Sequence, residues 1–196
     1  MNETSHSHLR LKICVSGAAE TDHCSRDALE KAKTLGAAIA KSGAILVNGA
    51  TTGFPYWVAI GAKGAGGFTI GISPAATEKE HVETYGLPRD YMDVIIYTGF
   101  GYSGRNLLLT RASDAVIVGC GRIGTLNEFT VAFEDGKPVG ILTDTGGTTD
   151  MLPDIIRVSG RKKDNPNIIL DSDPEALLEK IMNLAQKGKE SIPTAL

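Results

Sequence analysis

The sequence predicts an α/β domain built on a doubly wound, mostly parallel Rossmann-like sheet of about seven strands with helices on both faces. Three observations predict it. Apolar runs of strand length alternate with longer segments whose apolar residues recur at helical spacing, the pattern of βα units. The runs are continuous rather than alternating with polar residues, as expected of strands covered on both faces. The 23 glycines cluster where those runs end, so the chain turns tightly at one end of the strands.

Lys12–Val15 reads as the first strand, ending in Ser16-Gly17-Ala18. Ser25 can cap a helix from Arg26 to Lys41, in which Ala28, Leu29, Ala32, Leu35, Ala38 and Ile39 fall at helical spacing before Gly43 ends it. Ala44–Val47 is a second strand, leading into Asn48-Gly49-Ala50-Thr51-Thr52-Gly53. Pro55 suits the first turn of a helix over Tyr56–Lys63. Phe68–Ile72 is the third strand, and Thr77 with Glu80 forms a capping box over a short helix. Val94–Tyr97 runs into the glycine-rich stretch Gly99–Gly104, and a helix over Arg105–Arg111 follows. Ala115–Val118 is a fifth strand, with a helix from about Thr125 to Phe133 behind it. Val139–Leu142 is the sixth strand; Gly146-Gly147 marks a loop before a helix around Thr149–Val158. Asn167–Leu170 is the last strand, and Asp173-Pro174 caps and starts a helix to about Gln186. Residues 9–187 are expected to form one domain, with residues 1–8 and 188–196 as flexible tails.

The bulk numbers narrow the function. At 196 residues, with 42% apolar and 22% charged residues, the balance is that of an ordinary globular domain. The start is polar, no stretch approaches the roughly 20 apolar residues of a bilayer crossing, and a cytoplasmic location without a membrane partner is expected. A net charge of −3 offers no basic footprint for nucleic acid. Cys14, Cys24 and Cys120 are far apart and are expected to be reduced thiols, Cys14 as inert core. No cofactor is expected and no metal site: His6 and His8 share only their spacing, and His23 and His81 have no matching partners.

In a doubly wound sheet, ligands bind beyond the carboxyl ends of the strands where the strand order reverses. The sharpest constellation there is Gly119-Cys120-Gly121-Arg122-Ile123-Gly124-Thr125-Leu126-Asn127-Glu128. Gly121, Arg122, Ile123, Gly124 and Thr125 would present free backbone N–H groups at a helix start to a phosphate. Glu128 has two readings. As the last member of Thr125-Leu126-Asn127-Glu128 it can close a capping box; as a ligand group it should face a sugar, because a carboxylate repels phosphate. Arg105, at the loop-to-helix junction after the fourth strand, can bind phosphate bidentately or form an ordinary surface ion pair. Ser16, Gly17, Gly49, Thr51, Thr52 and Gly53 can add hydroxyls and N–H groups to the same pocket, or merely make tight turns. Tyr102, in Gly99-Phe100-Gly101-Tyr102, can place a ring beside a base or anchor its loop. Gly160-Arg161-Lys162-Lys163-Asp164-Asn165 reads as a solvated turn.

Arg105-Asn106, Ser113-Asp114-Ala115-Val116-Ile117-Val118, Gly121–Glu128 and Gly136-Lys137-Pro138-Val139 resemble the LOG family of the SLOG superfamily, long labelled lysine decarboxylases. Its signature is P-G-G-x-G-T-x-x-E preceded by an arginine. The resemblance implies a catalytic glutamate at Glu128 and an arginine at Arg105, 23 residues earlier. It also implies hydrolysis of a nucleoside 5′-monophosphate to free base and ribose 5-phosphate, and a homodimer formed through helices beside the site. Departures stand at Cys120 for the motif proline, Arg122 for its second glycine, Asn127 for an acidic residue and Asn106 for lysine. The earlier glycine-rich loop is reduced to Asn48–Gly53. This pattern is nearer to a sibling group related to the DNA-processing protein DprA and to molybdenum cofactor carriers. It leaves three readings open: a phosphoribohydrolase, a non-catalytic binder or carrier of a nucleotide-like ligand, and a DNA-processing module.

Overall fold

Seven strands form one all-parallel sheet in the computed structural model of the chain, which describes residues 9–161 and 165–190. The elements run β1 (Lys12–Ser16), α1 (Ala28–Lys41), β2 (Ile45–Asn48), α2 (Phe54–Gly64), β3 (Phe68–Ser73), α3 (Glu78–Glu83), β4 (Val94–Tyr97) and α4 (Gly101–Arg111). Then come β5 (Ala115–Val118), α5 (Ile123–Glu134), β6 (Val139–Leu142), a 3₁₀ turn (Thr148–Met151), α6 (Leu152–Ser159), β7 (Ile168–Asp171) and α7 (Pro174–Glu190). Residues 1–8, 162–164 and 191–196, and with them His6, His8 and the centre of the basic turn, lie outside the described residues.

The strand order is β4-β3-β2-β1-β5-β6-β7. The chain builds outward from β1 to β4, then crosses back to lay β5 on the other side of β1. Ile13 pairs with Ala115 and Ser16 with Val118, so β1 and β5 end side by side. That is the reversal point at which such sheets bind ligands.

Strand pleating explains the continuous apolar runs. Ile13, Val15 and Ile117 face the core shared with α1, α2 and α7, while Cys14, Val116 and Val118 face the core shared with α4, α5 and α6. Each fully buried large aliphatic side chain contributes roughly 1.5–3 kcal/mol. Helices α1 and α2 approach closely because of two glycines. A Cβ on Gly36 would overlap the Val58 carbonyl oxygen, and one on Gly61 would overlap that of Lys33.

Local signals hold where the partner is close in sequence. The Thr77 hydroxyl accepts from the Glu80 N–H at 3.1 Å, and Asp173 Oδ1 accepts from the N–H groups of Glu175 and Ala176 at 2.9 and 2.8 Å. Several helix starts differ from expectation, α2 beginning at Phe54 and α6 at Leu152 among them. Ser25 does not cap α1: its hydroxyl donates to Asp27 Oδ1 and the helix begins at Ala28. Helix α4 starts at Gly101, with Gly99 and Gly101 at φ of 70° and 62°, so Arg105 lies in its second turn rather than at a loop junction. Helix α5 starts at Ile123, two residues before Thr125.

Candidate functional site

At the β1/β5 reversal lies a cleft of about 490 Å³. Ser16, Gly17 and Ala18 follow β1; Gly49, Thr51 and Thr52 follow β2; Tyr102, Arg105 and Asn106 come from α4; and Arg122, Gly124, Thr125 and Glu128 come from α5. The loops after β1 and β2 therefore meet the starts of α4 and α5 at one end of the sheet.

The start of α5 is the electropositive end. Arg122 is its N-cap residue in an extended conformation, and no side chain caps the helix. The first-turn N–H groups have no intrahelical acceptor and carry the positive end of the helix dipole. Because the helix begins before Thr125, the capping-box reading of Glu128 falls away. Thr125 and Glu128 are instead neighbours at i and i+3, both buried and both lining the cleft. The Glu128 carboxylate accepts a hydrogen bond from the Ser16 hydroxyl at the end of β1. Burial raises the Glu128 pKa above the ordinary carboxylate value, against the lowering effects of the Arg105 charge and the Ser16 hydroxyl. Cys14, beneath it, is raised well above the ordinary thiol value, first by burial and then by the Glu128 charge.

Arg105 is 6% exposed and is not a surface ion pair. Its Nη1 donates to the Gly49 carbonyl at 2.7 Å and, at 3.4 Å, to that of Ile72; its Nε is buried without a partner. Gly49 lacks a side chain where Nη1 sits. Tyr102 stacks near the guanidinium, 5.7 Å from ring centre to Cζ, rather than anchoring in the core. Asn106 turns to Asn127 on α5, Nδ2 to Oδ1 at 3.0 Å, which ties the two site helices together. At the rim Arg122 pairs with Glu20.

Not every residue singled out in the sequence reaches the wall. Gly53, at φ 70°, packs under the carbonyls of Ala18 and Ala19 and shapes the loop from below. The Gly121 carbonyl accepts from the Thr148 N–H, and the Ile123 side chain points to solvent. Conversely Tyr85, Gly86 and Leu87, after α3, line the cleft although nothing in their local sequence suggests it. The expectation of three reduced thiols is corrected: Cys24 and Cys120 form a disulfide across 96 residues, and only Cys14 among the three remains free and buried. His23 is not isolated either, with Nε2 3.3 Å from the Gly121 carbonyl oxygen and 3.7 Å from Cys120 Sγ. Sequence spacing hides this cluster because loop closure, not periodicity, brings it together. No helix among the described residues is long and apolar enough to cross a membrane.

An all-parallel, doubly wound sheet with a cleft at its reversal point, walled by glycine-containing loops and an uncapped helix start, defines a Rossmann-like α/β protein. More narrowly, the chain belongs to the SLOG cluster4 family, whose sequence profile matches residues 10–178. An uncharacterized protein of Archaeoglobus fulgidus is 33% identical over 132 residues, 67% of this chain and 80% of that one. The molybdenum cofactor binding protein from Rippkaea orientalis is similar in structure, with a TM-score of 0.72 and 31% identity over 90% of this chain and 98% of its own. The molybdenum cofactor carrier protein from Chlamydomonas reinhardtii has a TM-score of 0.72 and 27% identity, covering 91% of this chain and 99% of that one.

Proposed function

We propose that the cleft binds a nucleotide or nucleotide-like phosphorylated small molecule, with the molybdenum cofactor as the cargo suggested by what its solved relatives are named for. The observation that carries this reading is the uncapped start of α5 opening into the same cleft as the buried Arg105 guanidinium. Phosphate would lie against the amides of Ile123, Gly124 and Thr125, with Arg122, Thr51 and Thr52 at its edge. At 1.5 Å rise per residue, Glu128 sits about 7.5 Å further along the helix than Ile123. That spacing lets a sugar or pterin ring face the carboxyl while the phosphate stays clear of it.

A second reading, hydrolysis of the N-glycosidic bond of a nucleoside 5′-monophosphate, is favoured by Glu128 itself. A buried carboxyl of raised pKa, held by Ser16, is suited to hydrogen-bond ribose hydroxyls, steady an oxocarbenium-like centre and orient water. Arg105 would offset charge on the phosphate or on Glu128. A positioned carboxylate acting as base is worth about 10²–10⁴ in rate.

A nucleotide panel and molybdenum cofactor, read by thermal shift and by release of free base, test both readings together. A rise in melting temperature without base release supports carriage. Base release lost in Glu128→Gln supports hydrolysis. Neither shift nor release with any ligand would sink both. The same proposal gives the protein a cytoplasmic setting and nucleic acid no part; steeply salt-dependent binding of single-stranded DNA would contradict it. A homodimer through α4 fits the exposed Tyr102, Leu107 and Leu108 of that helix and Phe100 just before it, and light scattering decides it.

A further inference from the structure

The Cys24–Cys120 bridge joins the loop between β1 and α1 to the loop that leads into α5. Cys120 is fully buried and its backbone is held on both sides. Its N–H donates to Thr145 Oγ1 at 2.8 Å, and its carbonyl accepts from the Ala18 N–H at 2.8 Å. Cys24 is half-buried, the more accessible end of the bridge. His23 Nε2 stands 3.7 Å from Cys120 Sγ, and no aspartate, glutamate or second histidine joins the two sulfurs in that cluster among the described residues.

We propose that Cys24–Cys120 is a reversible thiol–disulfide exchange site, reduced by small thiols or a dithiol protein, with His23 as its proton-handling residue. An incoming thiolate attacks Cys24 Sγ, the S–S bond breaks, and its electron pair leaves on Cys120 Sγ. His23 Nε2 delivers a proton to that sulfur or stabilises it as the thiolate. A second thiol then cleaves the mixed disulfide at the incoming sulfur and leaves Cys24 as a thiol. The net change is one protein disulfide plus two thiols giving one protein dithiol plus one external disulfide. A leaving sulfur that is better stabilised leaves faster, and this gives His23 its purpose. The three side chains are neither part of the cleft wall nor needed for the ligand chemistry. Their oxidation state instead decides whether residues 18–27 are covalently tied to the start of the ligand loop.

The test needs no ligand, so it stands or falls apart from the proposed function. Full-length protein is equilibrated across a glutathione redox series, quenched, unfolded and alkylated, and its modified cysteines are counted by mass. One alkylated cysteine, Cys14, is expected at the oxidised end and three at the reduced end, through a single two-electron transition. Cys24→Ser abolishes the transition. His23→Gln keeps it but slows the approach to equilibrium, which a purely structural histidine would not do. Reduction of the unmodified chain also speeds amide exchange in residues 18–27 and 119–125, and lowers the melting temperature by roughly 4–16 °C. Three alkylated cysteines throughout the series would overturn the proposal. So would stoichiometric zinc that shields Cys24 and Cys120, because the cluster would then be a metal site.

Discussion

Gly49→Ala tests the seating of Arg105, on which the electrostatics of the cleft depend. Gly49 does not occupy the left-handed region, so alanine brings no backbone strain of its own. Its Cβ would overlap Arg105 Nη1 and come within 2.8 Å of Cζ. The guanidinium must therefore retreat, giving up the 2.7 Å bond to the Gly49 carbonyl and the weaker one to Ile72. A hydrogen bond from a charged group contributes about 1.5–3 kcal/mol. The open side of Arg105 is the cleft, where the displaced group regains water, so a net loss of about 1–2 kcal/mol is expected. For a chain of this length that lowers the melting temperature by roughly 2–8 °C. The effect on ligand is larger than the effect on folding, because the moved side chain now fills the space a phosphate would take. A ligand at 100 times its Kd stabilises the native protein by about 2.7 kcal/mol, or roughly 5–11 °C, and the variant should lose that shift. Differential scanning fluorimetry with and without the best ligand of the panel measures both. A variant with the parental melting temperature and an intact ligand shift would refute the seating of Arg105 against Gly49.

Other perturbations separate structure from site. Gly36→Ala forces a methyl group into the Val58 carbonyl where α1 meets α2, and should cost about 3 kcal/mol or more in chemical denaturation. Thr77→Ala removes the hydroxyl that accepts from Glu80 and should cost about 1 kcal/mol, with faster amide exchange confined to α3. Glu128→Gln should be neutral or stabilising at pH 7. The folded-state pKa of Glu128 is raised, so its contribution is fully present below its unfolded pKa and is lost as pH rises through the folded value. The variant's advantage in melting temperature should therefore grow from pH 4 toward neutrality; a constant difference across that range would contradict the burial of an ionisable Glu128.

The fold was legible because its signals are local and repeated. Val94–Tyr97, Ala115–Val118 and Val139–Leu142 are strands at the residues that the apolar runs mark. Helix starts were less legible, because several capping residues could compete. Ser25 has the right chemistry for a cap but spends its hydroxyl on Asp27 and the Asp144 carbonyl. The run Gly99–Gly104 reads as loop by composition, yet the positive φ of Gly99 and Gly101 makes the turn that launches α4, and the rest of the run is helical.

The site shows the same division at a finer scale. The glycine loop after β5 and the carboxylate behind it could be named from sequence, but their relation could not. Whether Glu128 caps a helix or faces a ligand depends on a two-residue shift in where α5 begins, and no residue between Gly121 and Thr125 announces that shift. The outcome is set by tertiary partners. Cys120 is fixed by Thr145 and by Ala18, and Gly121 by Thr148, so the chain enters the helix early and turns Thr125 inward. Glu128 then comes to Ser16, 112 residues away in sequence. Arg105 follows the same logic: the bare backbone of Gly49 leaves room for its guanidinium, a vacancy with no local pattern of its own. If those distant contacts set the chemistry, Ser16→Ala should alter Glu128 more than Thr125→Ser does, since the first removes the hydrogen bond that favours the ionised form. Glu128 should then titrate still higher in Ser16→Ala, as followed by carboxyl NMR against pH. An unchanged midpoint would mean that burial and the Arg105 charge govern the carboxyl without Ser16.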